Sequence, residues 1–248
     1  MYFFYCLAVI VVWLGVLSLR GGFRFENYLK NESEKDPPDF TPFVSVIAPC
    51  RGLDQGFNEN ISALFQQQYP AYEILFVTDR ADDGSVAAIE KILSLQQNVS
   101  ARLIVAGEAT DSGQKVHNLR VATGQIASNS EVLVFVDSDA RPDADWLRSL
   151  VAPLANTGLG AATGYRWFVP VNGALAGYLR SVWNASIASA LGQDTGKNFC
   201  WGGSTAIRRT VFEKLGVRER WIGTVSDDFT VTRILQEAKL PIHFVPAC

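Results

Sequence analysis

Apolar positions in this chain fall into one long uncharged run, followed by a series of short ones. From Tyr2 to Leu19 no charge interrupts the chain. At 1.5 Å per residue a helix over this stretch is about 27 Å long, close to the thickness of a bilayer core. Asn31 to Pro42 is polar and carries Pro37, Pro38 and Pro42, the composition of a linker. From about Phe43 strand-like runs alternate with helical spacing. Strands are predicted at Phe43–Ala48, Glu73–Thr78, Arg102–Ala106, Val132–Val136 and Leu159–Thr163. Helices are predicted over Asn58–Gln68, Ser85–Leu95, Gln114–Ile126, Asp143–Leu154 and Ala174–Leu191. This alternation implies an α/β domain with a parallel sheet covered by helices. The chain divides accordingly into a transmembrane helix at 1–20, a juxtamembrane linker at 21–42 and one domain at 43–248.

The flanks of the first run decide between an anchor and a cleaved leader. No basic residue precedes it, and Ser18-Leu19-Arg20 lacks a small-x-small cleavage pattern, so the anchor is the better reading. Arg20, Arg24 and Lys30 all lie on its carboxyl side. By the positive-inside rule a single-pass protein with its domain on the cytoplasmic face is expected.

Composition narrows the partners. The 22 basic and 25 acidic residues of the 248 leave a net charge of -3, which predicts no general affinity for nucleic acid. Phosphate binding must then be local. The four cysteines form no C-x-x-C, and neither a P-loop nor H-E-x-x-H nor G-x-S-x-G is present. Gly158 to Gly164 superficially resembles a dinucleotide fingerprint, but it has one residue too many and leads from a helix into a strand.

The run Val132–Val136 has no alternation and is rich in β-branched residues, as befits a strand buried on both faces. It stops at Asp137-Ser138-Asp139. Parallel strands end on one rim, where open α/β sheets place their ligands. The same rim should gather Pro49 to Asp54 and Asp79-Arg80. Two carboxylates there suit a divalent cation that grips a diphosphate; Asp-Ser-Asp followed by Pro142 is also good turn chemistry, and D-x-D taken alone favours the turn. Lys115 stands near a helix start, where free N–H groups and an ammonium can form a diphosphate pocket, or it is a solvated surface lysine. His117 is read as structural. Asp227 and Asp228 follow Ser226 at another helix start, where capping explains them as well as a general base does.

Taken together, PCRGLD (Pro49 to Asp54), VTD ending at Asp79, KVHNL from Lys115, VDSD ending at Asp139 and SDD ending at Asp228 resemble the family 2 glycosyltransferases. Among these the chain is most similar to the ceramide glucosyltransferase branch and its bacterial relatives, from about Phe43 onward. The resemblance implies a GT-A (Rossmann-like) fold and transfer of a hexose from a UDP-sugar to a ceramide-like membrane lipid, with inversion. It implies that Asp79 contacts uridine, that Pro49, Arg51 and Asp54 shape the nucleotide pocket, and that Lys115 neutralises the leaving UDP. Asp137 would sit by the ribose or metal, and Asp139 would hold Mg2+ or Mn2+ against the diphosphate. Asp228 would be the base with Asp227 its acidic neighbour, while Trp201, Gly202 and Gly203 would line the acceptor side.

The family pattern continues after the base aspartate to Q-x-x-R-W, which the chain does not reach by Cys248. Arg220-Trp221 precedes Asp228 and lacks the glutamine. A fragment of a longer protein is therefore expected. The readings left open are a polysaccharide-type transferase of the same family, a non-catalytic nucleotide-sugar binding fragment and a nucleotidyltransferase of the same fold class.

Overall fold

The structure, a computed structural model, describes residues 1–96, 98–166, 168, 170 and 173–248. The chain forms two compact units, Met1–Asp36 with Trp167–Asp194, and Pro37–Arg166 with Thr195–Cys248.

In the first unit α1 (Tyr2–Ser33) is continuous and nearly all exposed, long and apolar enough to cross a membrane. It runs past the expected boundary at residue 20, so the first part of the expected linker is helical. Gly21 and Gly22 do not interrupt it, although each costs a helix about 1 kcal/mol relative to alanine. This unit also holds α6 (Leu175–Ala188), which follows α2 (Phe57–Leu64), α3 (Gly84–Leu95), α4 (Gln114–Thr123) and α5 (Trp146–Val151) of the other unit in chain order.

The second unit is a seven-stranded sheet. Its strands are β1 (Val44–Pro49), β2 (Tyr72–Thr78), β3 (Ser100–Val105), β4 (Val132–Val136), β5 (Ala161–Thr163), β6 (Ser204–Arg208) and β7 (Ile242–Phe244), in the order β3-β2-β1-β4-β6-β5-β7. The pairings β1 with β2, β1 with β4, β2 with β3 and β5 with β7 are parallel. β6 is antiparallel to both β4 and β5. The expected helices and strands are present with shifted ends. β6 and β7 were not anticipated: β6 runs into the helix Arg209–Lys214 without a turn signal, and β7 is only three residues long.

Alternate strand residues face opposite layers. Val46, Ile74, Phe76, Val134 and Val136 pack with Ile61, Leu64, Ile89, Trp146 and Leu150 on one side. Ile47, Leu75, Leu133 and Phe135 pack with Val116, Leu119, Phe212, Trp221 and Ile234 on the other. Every residue of β4 is buried, as its unbroken apolar run requires.

Candidate functional site

The reversed strand builds the site. Because β6 is antiparallel to β4, Ser204 pairs with Val136, and the residues just before β6 lie beside the residues just after β4. Gly203 is thereby set against Asp137: a β-carbon on Gly203 would stand 2.8 Å from Asp137 Oδ2 and 2.3 Å from the Trp201 ring. β5 also ends at this rim, since Thr163 pairs with Thr205. Arg166, three residues on, reaches Asp139 at 3.3 Å and lies 5.4 Å over the Trp201 ring.

Two helix starts complete the rim. Gly113 N–H donates to Thr224 O at 2.8 Å and Gly223 N–H to Asp111 O at 2.8 Å. These bonds fasten the start of α4 (Gln114–Thr123) to the loop before the helix Asp227–Glu237. Lys115 Nζ consequently lies 2.7 Å from Asp137 Oδ1 and 3.5 Å from Asp227 Oδ1. Burial pushes the Lys115 ammonium down, but Asp227, Asp137 and Asp228 outweigh it and hold it above the ordinary lysine value. Burial pushes the Asp227 carboxyl up; Lys115 opposes this, while Asp228 and Asp137 add to it.

Asp228 is held differently. Its Oδ1 accepts from Ser226 Oγ at 2.5 Å and Phe229 N–H at 2.8 Å, and its Oδ2 takes a single long contact from Gly202 N–H at 3.3 Å. Ser226 also caps the helix by accepting from Phe229 N–H at 3.4 Å. Capping and a lone pair free on Oδ2 therefore coexist.

On the other side of the rim, Asp79 is buried and its Oδ1 has no hydrogen-bond partner among the described residues. Such an orphaned acceptor costs stability unless a ligand donor meets it. The Pro49 to Asp54 loop is fastened by Asp83, which accepts from Gly52 N–H at 2.9 Å and caps α3 (Gly84–Leu95) through Ser85 N–H at 2.8 Å. Arg51 and Asp54 are exposed. Partial burial pushes the Asp83 carboxyl up, but the bonds from Ser85 and Gly52 and the Arg80 charge leave it below the usual carboxylate range.

The geometry thus joins Lys115, Asp137, Trp201, Gly202, Gly203, Asp227 and Asp228 through direct contacts, and Asp139 through Arg166; Asp79 and the Pro49 to Asp54 loop share the rim through their strand ends. Sequence reasoning missed Arg166 and Asp83. The signal for Asp83 was present, an aspartate followed by Gly-Ser before an apolar helical run. Arg166 follows a strand only three residues long, which left little to mark it. His117 bonds the Ala106 carbonyl at 3.0 Å, as a structural histidine should. Gly160 and Gly164 admit no side chain because Leu235, Leu240, Ser204 and Cys248 fill the space, which accounts for the glycine-rich run without a ligand.

For a metal ion, no group of three or more His, Cys, Asp or Glu side chains gathers among the described residues. The donors offered are the carboxylates of Asp137 and half-exposed Asp139, both hard oxygen ligands. That set fits Mg2+ or Mn2+ completed by waters and diphosphate oxygens.

Comparison with known proteins agrees with this architecture. The sequence model of Glycosyl transferase family 21 matches residues 3–247. Ceramide glucosyltransferase 1 of Caenorhabditis elegans is 29% identical over 119 residues, 46% of this chain and 24% of that protein. Glycosyltransferase AglE of Haloferax volcanii is 28% identical over 137 residues, 54% of this chain and 43% of that protein. The chain thus spans less than half the length of either relative. Among solved structures, the mannosyltransferase PcManGT of Pyrobaculum calidifontis, in complex with GDP-Man and Mn2+, superposes with a TM-score of 0.63 at 20% identity. That match covers 96% of this chain and 66% of the other, and it establishes the GT-A fold.

Proposed function

The chain belongs to Glycosyl transferase family 21, and from the geometry of its rim we propose that it carries the donor and base machinery for inverting transfer of a hexose from a UDP-sugar to a membrane lipid of ceramide type. The observation that carries this reading is the position of Lys115. Its ammonium touches Asp137 on the donor side and Asp227 on the base side, so one cation links the two halves of the reaction.

In this reading the unpartnered Asp79 Oδ1 accepts the uracil N–H, and the loop stapled by Asp83 frames the nucleotide. Asp137 and Asp139 would hold Mg2+ or Mn2+, which would supply charge to offset the diphosphate. Asp228 Oδ2 takes the acceptor hydroxyl proton as that oxygen bonds the anomeric carbon. The carbon–phosphate-oxygen bond breaks on the opposite face, and Lys115 meets the charge left on UDP. The Asp139 carboxylate that would reach the metal is the one Arg166 contacts at 3.3 Å.

An apolar acceptor is supported by the surroundings of the base. Val225 and Phe229, which flank Asp227 and Asp228, are 84% and 75% exposed. An exposed apolar rim beside a catalytic carboxylate suits a lipid better than a polysaccharide. With α1 in a membrane the domain works at the cytoplasmic face, as the flanking Arg20, Arg24 and Lys30 favour.

The test is UDP-sugar turnover by the detergent-solubilised chain with Mn2+ and a ceramide acceptor, beside Asp139→Asn and Asp228→Asn. The expected result is loss of donor binding in the first variant, and retained binding without transfer in the second. Binding without turnover in the unsubstituted chain would favour a nucleotide-sugar binding fragment. No binding of UDP at all would sink the reading.

A further inference from the structure

The helix α6 (Leu175–Ala188) is inside out for a helix in water. Leu175, Tyr178, Leu179, Val182 and Trp183 recur at three- and four-residue spacing and so share one face. That face is exposed, with Leu179, Val182 and Trp183 at 62%, 68% and 72%. The opposite face is small and polar: Asn184 and Ala188 are buried, Gly177 and Ser181 half-buried.

Local packing fixes this orientation. Asn184 Oδ1 accepts from Phe168 N–H at 3.2 Å, and a β-carbon on Gly177 would stand 3.0 Å from Pro170 Cβ. Arg180, the sole charge in α6, lies 4.1 Å over the Phe168 ring, off the apolar face. A water-facing helix would turn the large apolar side chains inward.

The same compact unit contains α1, long and apolar enough to cross a membrane. A bilayer is thus the nonpolar phase within reach of this unit. With 14 residues α6 is about 21 Å long, too short to cross a hydrocarbon core of about 30 Å. Tyr178 and Trp183 are amphipathic rings of the kind that settle at headgroup level. We propose that α6 lies in the plane of the membrane surface, its exposed face in the boundary between headgroups and acyl chains, as a second membrane contact beside the anchor. The proposal rests on α1 entering a membrane and is independent of the transferase reading.

The test uses the full chain in vesicles of phosphatidylcholine and phosphatidylglycerol, with Cys6→Ser and Cys248→Ser and one nitroxide-labelled cysteine at a time. Label sites are Leu175→Cys, Leu179→Cys, Val182→Cys, Val12→Cys in α1, and exposed Glu90→Cys as the aqueous control. The remaining thiols, Cys50 and Cys200, are buried. The expected result is a several-fold higher ratio of oxygen to nickel-chelate collision at the three α6 sites than at Glu90, with similar shallow depth at all three, and a deeper position for Val12. If Val12 is in lipid but the α6 sites match Glu90, the proposal is overturned and the anchor stands. Immobile α6 labels shielded from both reagents would mean that protein covers the face, which also overturns it. A steady depth gradient from Leu175 to Val182 excludes the in-plane orientation. Val12 in water would remove the anchor and the proposal together.

Discussion

Gly202 approaches Asp227 so closely that a β-carbon on it would stand 2.5 Å from Asp227 Oδ2 and 3.0 Å from Lys115 Nζ. The close approach, rather than a special backbone angle, is what calls for glycine here. Gly202→Ala must push the Asp227 carboxylate or the Lys115 ammonium aside. Overpacking of this kind costs about 1–3 kcal/mol, and a displacement of about 1 Å at a reacting centre can cost about 10²-fold in rate. Gly202→Ala is expected to lose transfer by about that factor while keeping the far-ultraviolet circular dichroism of the parent. An unchanged rate would show that Asp227 and Lys115 have no part in the chemistry.

Lys115 offers a second test. Lys115→Met leaves Asp137 and Asp227 facing each other without a cation, and transfer is expected to fall by about 10²–10³, the usual loss for one electrostatic donor. The side chain is 36% exposed, so solvent screens the pair and the stability loss should be modest. Adding Asp137→Asn should restore part of that loss, a coupling of about 0.5 kcal/mol or more in a double-mutant cycle. Strict additivity of the two losses would contradict the contact.

Asp79 separates a binding role from a structural one. Its buried Oδ1 has no partner among the described residues, so Asp79→Asn should leave the melting temperature unchanged or raise it. UDP affinity should fall by about tenfold, the equivalent of about 1.4 kcal/mol. Calorimetric titration beside thermal melting reads both. A falling melting temperature with intact UDP affinity would assign Asp79 to the scaffold instead.

Asp83 predicts a pH signature. Its folded value lies below the ordinary carboxylate value of about 3.9, so its contribution is fully present above that pH and is lost as pH falls through the folded value. Asp83→Ala removes a helix cap and the staple on Gly52, and should cost about 1 kcal/mol at neutral pH. Below about pH 4 the difference between parent and variant should shrink. Chemical denaturation at a series of pH values checks this, and a constant difference would contradict the assignment.

How far the site could be read in advance depended on where each residue sits. Asp137, Asp139 and Asp79 end apolar runs long enough to be recognised as strands, so their common rim followed from parallel pairing. Lys115 and Asp227 were each ambiguous, because a lysine near a helix start and a carboxylate in a first turn have ordinary explanations. Their 3.5 Å contact depends on the Gly113–Thr224 and Gly223–Asp111 backbone bonds, which join segments far apart in the chain. Arg166 and the role of Gly203 were hidden for a similar reason. Both follow from the reversed strand β6, whose direction no local pattern encodes.

The apolar first helix, the α/β alternation, the buried central strand and the rim on which the acidic motifs end are legible along the chain. Hydrophobic periodicity carries these, since the spacing of apolar residues marks which face of a segment is buried, whatever surface covers it. That β6 runs against β4, that two glycines leave room for a lysine between two aspartates, and that α6 turns its large side chains outward emerge only in the folded molecule. Those features depend on which surfaces meet, and contact between distant segments is set by packing of the whole domain rather than by the spacing of residues along one of them.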